Sequence, residues 1–152
     1  MMKKLFIYYS LSGNGDAVAN YLEDKKIDIR KVITKESLPN NFVLRIMSGG
    51  FKALINYKDR LNDFDTDISN YDEIIIGSPI WNSRLSSPIN AVLDKIKLDN
   101  KKVIFILYSG SGVSKKATER IKGEYPSALV IDIKNPLNNK EDLVSELDNI
   151  GY

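Results

Sequence analysis

The sequence of 152 residues contains neither cysteine nor histidine. The lack of cysteine excludes disulfides, thiolate catalysis, and zinc or iron–sulfur sites held by thiolates. The lack of histidine excludes a Ser-His-Asp triad and metal centres with imidazole ligands. We therefore expect the functional site to contain no metal.

A large excess of charge and long apolar segments are also lacking. The formal net charge is only +2 and the lysines are scattered, so the composition does not favour nucleic-acid binding. The apolar run that follows Met1–Lys4 is only about six residues long and has no small-residue cleavage site after it. No segment approaches the roughly 20 apolar residues of a membrane span. We expect a cytoplasmic protein with neither nucleic acid nor membrane as a partner.

Continuous apolar runs are the main structural signal that the sequence does contain. Such runs are typical of strands buried on both faces of a parallel sheet, and they lie at Leu5–Tyr9, Glu73–Ile76, Val103–Tyr108 and Leu129–Ile133. A fifth segment, Ile27–Ile33, alternates apolar with charged residues and predicts an edge strand.

Segments with helical spacing of apolar residues lie between these runs, at Asp16–Glu23, Pro88–Ile96, Lys115–Ile121 and Glu141–Ile150. Alternation of strands and helices predicts a doubly wound α/β fold with a five-stranded parallel sheet between two helical layers. The length of the chain fits a single domain over residues 1–152.

The segment between the second and third strands is long, and apolar residues from Phe42 to Leu61 keep helical spacing through it. Gly49 and Gly50 interrupt this pattern, at about 1 kcal/mol each relative to alanine. The pair is interpreted either as a packing device or as a contact with a ligand or partner.

The turn Ser10–Gly15, which follows the first strand, is small, polar and uncharged. Its glycines allow backbone N–H groups to converge at the positive end of the following helix, which favours an anion such as phosphate. A plain capped turn is the alternative. The turn has no lysine for a P-loop, and Val18 occupies the third glycine position of a dinucleotide fingerprint.

Two further polar loops follow the third and fourth predicted strands. Residues 77–88 include the only tryptophan, Trp81, which would be either a lid over the core or a platform for a planar ligand. Residues 109–114 form a Gly/Ser loop, which is either a flexible connection or a segment whose hydroxyls and backbone approach a ligand closely. In a sheet of order 2-1-3-4-5 all three loops leave adjacent strands at one edge, where ligands bind in such folds.

With SLSGNG, GSPIWNSRLSSP and SGSG in these three loops, the chain resembles the flavodoxins along nearly its whole length. The resemblance implies a flavodoxin-like sandwich that binds FMN. It places the phosphate at Ser10, Leu11, Ser12, Gly13, Asn14 and Gly15, the ribityl chain and ring at Pro79, Ile80, Trp81 and Asn82, and the other ring edge at Ser109, Gly110, Ser111 and Gly112.

Two departures from the family pattern bear on the cofactor. Flavodoxins usually have threonine where this chain has Gly15, and one lost hydrogen bond of about 0.5–1.5 kcal/mol predicts weaker FMN binding. Many flavodoxins are strongly acidic, whereas this chain is near neutral and has Arg84 in the flavin loop. Arg84 would either raise the flavin potential or be a solvated surface charge.

Three functions remain to be distinguished at the level of sequence. The first is a low-potential one-electron carrier that docks transiently with redox proteins as a monomer or weak dimer. The second is an FMN-dependent NAD(P)H reductase of quinones or similar small acceptors. The third, a flavin-free receiver-like regulator, is disfavoured because Tyr8–Ser10 and Ile76-Gly77 stand where such a domain needs acidic residues.

Overall fold

The computed structural model describes residues 1–35 and 58–152, so Gly49-Gly50 and most of the helical pattern around them lie outside the described residues. The strands are β1 (Lys4–Tyr8), β2 (Asp28–Lys31), β3 (Glu73–Trp81), β4 (Arg84–Leu85), β5 (Lys102–Ser109) and β6 (Leu129–Lys134). The helices are α1 (Asn14–Asp24), α2 (Ser87–Lys95), α3 (Lys115–Glu124) and α4 (Lys140–Asn149).

The central sheet has the order β2-β1-β3-β5-β6, and neighbouring strands along this path are parallel. This is the predicted order 2-1-3-4-5, because the additional short strand β4 pairs only with β3 and is antiparallel to it. The doubly wound α/β prediction is confirmed, and β1, β3 and β5 are adjacent at the centre of the sheet.

Alternate residues of each strand enter two separate cores, one on each face of the sheet. Leu5 and Ile7 pack on one face together with residues of α2 and α3, such as Ile89 and Ile121. On the opposite face Phe6 packs with residues of α1 and α4. Since a strand points successive side chains to opposite faces, continuous apolar runs are what a three-layer sandwich requires.

Some element bounds differ from the sequence-based expectation. The edge strand β2 covers only Asp28–Lys31, and Thr34 beyond it forms an isolated antiparallel bridge with Leu61. Helix α1 begins at Asn14 rather than Asp16, since Asn14 and Gly15, which were predicted as part of the polar turn, are already helical. In the parts of the chain that the structure describes, no helix is both long and apolar enough to cross a bilayer.

The amino end of the sheet contains a fully buried carboxylate, that of Glu73 at the start of β3. The hydroxyl of Tyr152 donates a hydrogen bond to its Oε1, and Lys102 Nζ lies 2.6 Å from its Oε2. Lys4 Nζ lies 3.6 Å from Oε1. Burial raises the pKa of Glu73, but Lys102, Tyr152 and Lys4 together outweigh burial and hold the pKa below its usual range.

Candidate functional site at the carboxyl edge of the sheet

The hydroxyl oxygen of Ser10 is the point on which the first turn converges. It accepts hydrogen bonds from the backbone N–H groups of Gly13, at 3.2 Å, and Gly15, at 3.1 Å. Gly13 has a φ of 96°, which glycine adopts without strain, and it precedes the first residue of α1. The turn therefore directs two donors at the start of the helix to a single oxygen atom, which is the arrangement that an anion requires.

The remaining residues of this turn play different parts. Leu11 is partly buried against one of the cores, and Ser12 is exposed. The side-chain oxygen of Asn14 accepts the N–H of Leu137 at 3.1 Å. This oxygen ties the turn to the segment after β6, and the amide hydrogens of Asn14 remain donors for a ligand, as the sequence predicts.

Gly15 lies in the most crowded part of the turn. A Cβ atom at this position would lie 2.5 Å from the hydroxyl of Tyr108, 2.8 Å from Cδ2 of Tyr8 and 2.9 Å from the carbonyl oxygen of Tyr9. The Tyr108 hydroxyl donates to that same carbonyl, and burial raises the pKa of Tyr108 well above its ordinary value. The space that a threonine would occupy is already filled, which explains the departure from the family pattern.

Asp16 places a carboxylate in the first turn of α1, close to this loop. Its Oδ1 accepts hydrogen bonds from Lys31 Nζ at 2.7 Å and from the Tyr8 hydroxyl at 2.8 Å. Burial raises the pKa of Asp16, but the bonds from Lys31 and Tyr8 prevail and hold it below its ordinary value. Asp16 is thus ionised and paired with Lys31, a cation that the sequence of the turn does not reveal.

The second loop is more regular than its polar sequence predicts. β3 continues through Pro79, Ile80 and Trp81, and the chain then reverses into β4 through the two-residue turn Asn82-Ser83. Both turn residues have positive φ, 51° and 61°, as a tight hairpin requires. Pro79 is tolerated because it lies beyond the last residue of β3 that pairs with β1.

The hairpin is held in place by serine hydroxyls and by ring packing. The buried hydroxyl oxygen of Ser78 accepts the N–H of Ser86 at 3.1 Å, and its hydrogen is donated to the carbonyl of Pro79 at 2.8 Å. Trp81 is partly buried, and its ring meets that of Tyr9 edge-on, with 5.9 Å between centroids. Trp81 therefore packs on the core without being fully covered by it.

The third loop repeats the geometry of the first. The hydroxyl oxygen of Ser109 accepts the N–H of Gly112 at 3.0 Å. Ser111 accepts the N–H of Val113 at 3.3 Å. Gly110 is exposed, and Gly112 has a φ of 71°. Ser10 and Ser109, near the carboxyl ends of β1 and β5, thus each accept backbone N–H groups from the loop that follows the strand.

The three predicted loops all leave the sheet at the carboxyl ends of β1, β3 and β5, which are adjacent. The sequence analysis missed the segment after β6, which touches two of them. Leu137 binds Asn14 as described, and the N–H of Asn135 donates to the carbonyl of Ser109 at 3.0 Å. Its signal in the sequence is Asn135-Pro136 directly after a strand, a polar turn that contains no glycine.

The chain is similar to a known protein family and to solved structures of flavoproteins. A family model described as Flavodoxin matches residues 3–150. A putative flavoprotein from Bacteroides eggerthii is 21% identical over 100% of this chain and 99% of its own, with a TM-score of 0.77. A flavoprotein from Lactobacillus acidophilus in complex with FMN is 22% identical over 93% and 98%, with a TM-score of 0.69. None of the curated proteins matches.

Proposed function

Because the chain belongs to the flavodoxin family, we propose that it binds FMN at the carboxyl edge of the sheet and carries electrons one at a time between cytoplasmic redox proteins. FMN, when bound, supplies the redox chemistry, and the protein sets its position and surroundings. The Lactobacillus acidophilus flavoprotein that shares this fold was crystallised with FMN, which supports the choice of cofactor.

The observation that carries the proposal is the convergence of the Gly13 and Gly15 N–H groups on the Ser10 hydroxyl oxygen. An oxygen of a phosphate group accepts such hydrogen bonds at least as well, because a charged acceptor strengthens them. All the donors of this turn are neutral, and Lys31 is already paired with Asp16. The charge of the phosphate would stay largely uncompensated, which disfavours further negative charge on the cofactor and keeps its potential low.

The other two loops are suited to the flavin ring. Trp81 offers a flat, partly buried surface that excludes water from one side of a planar ligand. Ser109–Gly112 offers exposed backbone and hydroxyl groups for a polar ring edge. Arg84 donates to the carbonyl of Asn82 at 3.4 Å, which places a positive charge beside the hairpin turn and would partly offset the effect of the unneutralised phosphate.

Titration of the apoprotein with FMN and with riboflavin tests the cofactor proposal. We expect the fluorescence of both flavins to be quenched when they bind to the protein. FMN should bind more tightly by about tenfold or more, because only FMN has a phosphate for the Ser10 turn. A protein that purifies colourless and leaves the fluorescence of both flavins unchanged would contradict the proposal.

A stopped-flow assay separates a carrier from a reductase. We expect the FMN-loaded protein to oxidise neither NADH nor NADPH at a rate above that of free FMN, and to exchange electrons rapidly with other redox proteins. Such partners would dock through small, transient contacts, with the flavodoxin as a monomer or weak dimer. Saturable, rapid NAD(P)H oxidation would instead establish the reductase.

A further inference from the structure

Four cationic side chains lie on the second loop, at the start of α3 and at the end of β6, beside the proposed flavin site. They are Arg84, Lys115, Lys116 and Lys134, and we name this set the basic rim. Lys115, Lys116 and Lys134 are exposed, and Arg84 is half-buried. The rim is continuous with the loops that would hold the isoalloxazine, so it faces whatever approaches the cofactor from that side.

Backbone contacts fix the rim as one surface. The N–H of Ala117 donates to the carbonyl of Ser83 at 2.9 Å, which holds the start of α3 against the hairpin turn and sets Lys115 and Lys116 beside Arg84. On the other side, a Cβ atom added to Gly112 would lie 3.0 Å from Cβ of Lys134. The third loop therefore lies between Lys134 and the two lysines of α3.

The cations of the rim differ from many others in the molecule. Lys4, Lys31, Lys102 and Arg30 each form an ion pair with a carboxylate. Among residues 1–35 and 58–152, none of the four rim cations has a carboxylate oxygen within 4.0 Å. Two acids lie near the rim: the partly buried Asp132 accepts a hydrogen bond from Ser114 instead of pairing with a lysine, and Asp142 Oδ2 accepts the backbone N–H of Lys134 at 3.4 Å.

Val113 is an exposed apolar residue between the rim cations. Its side chain is 65% exposed, and it lies between Gly112, which packs on Lys134, and Ser114, which precedes Lys115. A small apolar contact bordered by charges of one sign is the composition of a transient docking surface, in which the charges steer encounter and the apolar group is desolvated.

We propose that the basic rim and Val113 form the docking surface for an acidic face of a partner redox protein. The inference rests on the proposed electron-carrier function and specifies the partner for it. Charge complementarity selects the partner: four cations that pair with no carboxylate of the described residues attract an acidic surface and repel a basic one. An acidic protein seated on the rim would approach the flavin loops directly, as electron transfer requires.

Native and fully succinylated cytochrome c provide matched probes, because succinylation turns a basic surface acidic without replacing the haem. In the assay the reduced flavin of the FMN-loaded protein loses one electron for each ferric haem that takes one electron and becomes ferrous. We expect faster reduction of the succinylated cytochrome at low ionic strength and a rate that falls as salt is added.

The variant Lys115→Glu/Lys116→Glu reverses half of the rim without touching the proposed cofactor site. We expect reduction of the succinylated cytochrome to slow by about tenfold or more, and reduction of the native cytochrome to accelerate. Lys3→Glu/Lys26→Glu is the matched control. It makes the same change in net charge at exposed positions at the opposite end of the sheet, and it should change either rate less than about twofold.

Equal effects of the two variants would show that only net charge matters and would overturn the proposed docking surface. Faster reduction of the native cytochrome by the unmodified protein would overturn it as well. So would saturable NADPH oxidation lost in Lys115→Glu/Lys116→Glu, since the rim would then bind nucleotide phosphates. Failure of the proposed function is a separate result, because it appears earlier, as no FMN binding in the flavin titration.

Discussion

The two ends of the parallel sheet treat charge in opposite ways. At the amino end, the buried carboxylate of Glu73 is met by Lys102, Lys4 and the hydroxyl of Tyr152. At the carboxyl end, the turn Ser10–Gly15 gathers N–H groups around a serine hydroxyl and contains no charged side chain. The amino end pairs its buried carboxylate with two lysines and a hydroxyl, whereas the turn presents neutral donors, and the nearby carboxylate of Asp16 is already paired with Lys31.

This difference shows how one fold separates stability from binding. A buried charge must be paired, or its desolvation destabilises the folded state, and the pairing leaves nothing for a ligand. Neutral donors at a helix terminus cost little when they face solvent or a serine hydroxyl. They therefore remain available to an anion. The following changes test the separation, from the largest expected effect to the smallest.

Substitution of Gly15 should have the largest effect. Gly15→Thr is expected to lower the free energy of unfolding by about 3 kcal/mol, because its Cβ would meet the Tyr108 hydroxyl, the Tyr8 ring and the Tyr9 carbonyl. Gly15→Ala, which adds the Cβ alone, should lower it by about 2 kcal/mol. Urea unfolding of the apoprotein measures both values.

Gly123→Ala is the matched control for these variants, since a Cβ atom there meets nothing within 4 Å and the residue lies in α3. It should raise the free energy of unfolding by about 0.5–1 kcal/mol. If Gly15→Thr were as stable as the unaltered protein and bound FMN more tightly, the crowding at residue 15 would not explain the missing threonine.

At the amino end, Glu73→Gln should lower the free energy of unfolding by about 2 kcal/mol at pH 7, because the ion pair with Lys102 and the charged acceptor of the Tyr152 hydrogen bond are lost. The affinity for FMN should not change. The pKa of Glu73 is lower in the folded state than its ordinary value of 4.5, so its ionised form stabilises the protein above that pH.

The difference in stability between the unaltered protein and Glu73→Gln should therefore shrink as the pH falls below about 4.5 and through the folded-state pKa. Urea titrations at pH 7 and at pH 3 measure it. A constant difference at both pH values would mean that the charge of Glu73 does not contribute. Loss of FMN binding in this variant would contradict the independence of the two ends.

Ser10→Ala should weaken FMN binding by about tenfold while leaving riboflavin binding unchanged, because only the phosphate would use the donors that this hydroxyl gathers. Ser127→Ala, at an exposed position at the opposite end of the sheet, is the control and should alter neither affinity. Fluorescence titration measures both ligands. Equal weakening for FMN and riboflavin would place the contribution of Ser10 at the ring rather than at the phosphate.

The smallest effect is expected at the hairpin turn. Arg84→Gln should lower the one-electron potential of the hydroquinone couple of bound FMN by about 20–40 mV. This shift is equivalent to about 0.5–1 kcal/mol of charge stabilisation. Spectroelectrochemical titration measures the shift, with the exposed Lys97→Gln as a control for net charge. An unchanged potential would identify Arg84 as a surface charge that is screened from the flavin.

Much of the fold could be predicted because its signals are local. The continuous runs at Leu5–Tyr9 and Val103–Tyr108 identify strands buried on both faces, and glycine and serine after them identify the loops. The hairpin was not predicted, because Arg84-Leu85 is too short for a periodic pattern and the turn Asn82-Ser83 lacks the glycine that usually marks such turns.

Contacts between residues distant in sequence could not be predicted from one chain. Nothing near Gly15 indicates that Tyr108 fills the space beside it, and nothing near Glu73 indicates Tyr152. The role of Asn14 in tying the first turn to Leu137 depends likewise on how two loops meet at the sheet edge. The sequence shows which types of side chain are present, but their partners depend on tertiary packing.

The crowding at Gly15 also has a consequence for evolution. Residues 15 and 108 compete for one volume beside the Tyr9 carbonyl, so neither can grow unless the other shrinks. Relatives that carry threonine at the position of Gly15 should therefore carry a smaller residue, or a shifted strand, at the position of Tyr108. Positions 15 and 108 should therefore covary in an alignment of relatives as a result of this contact.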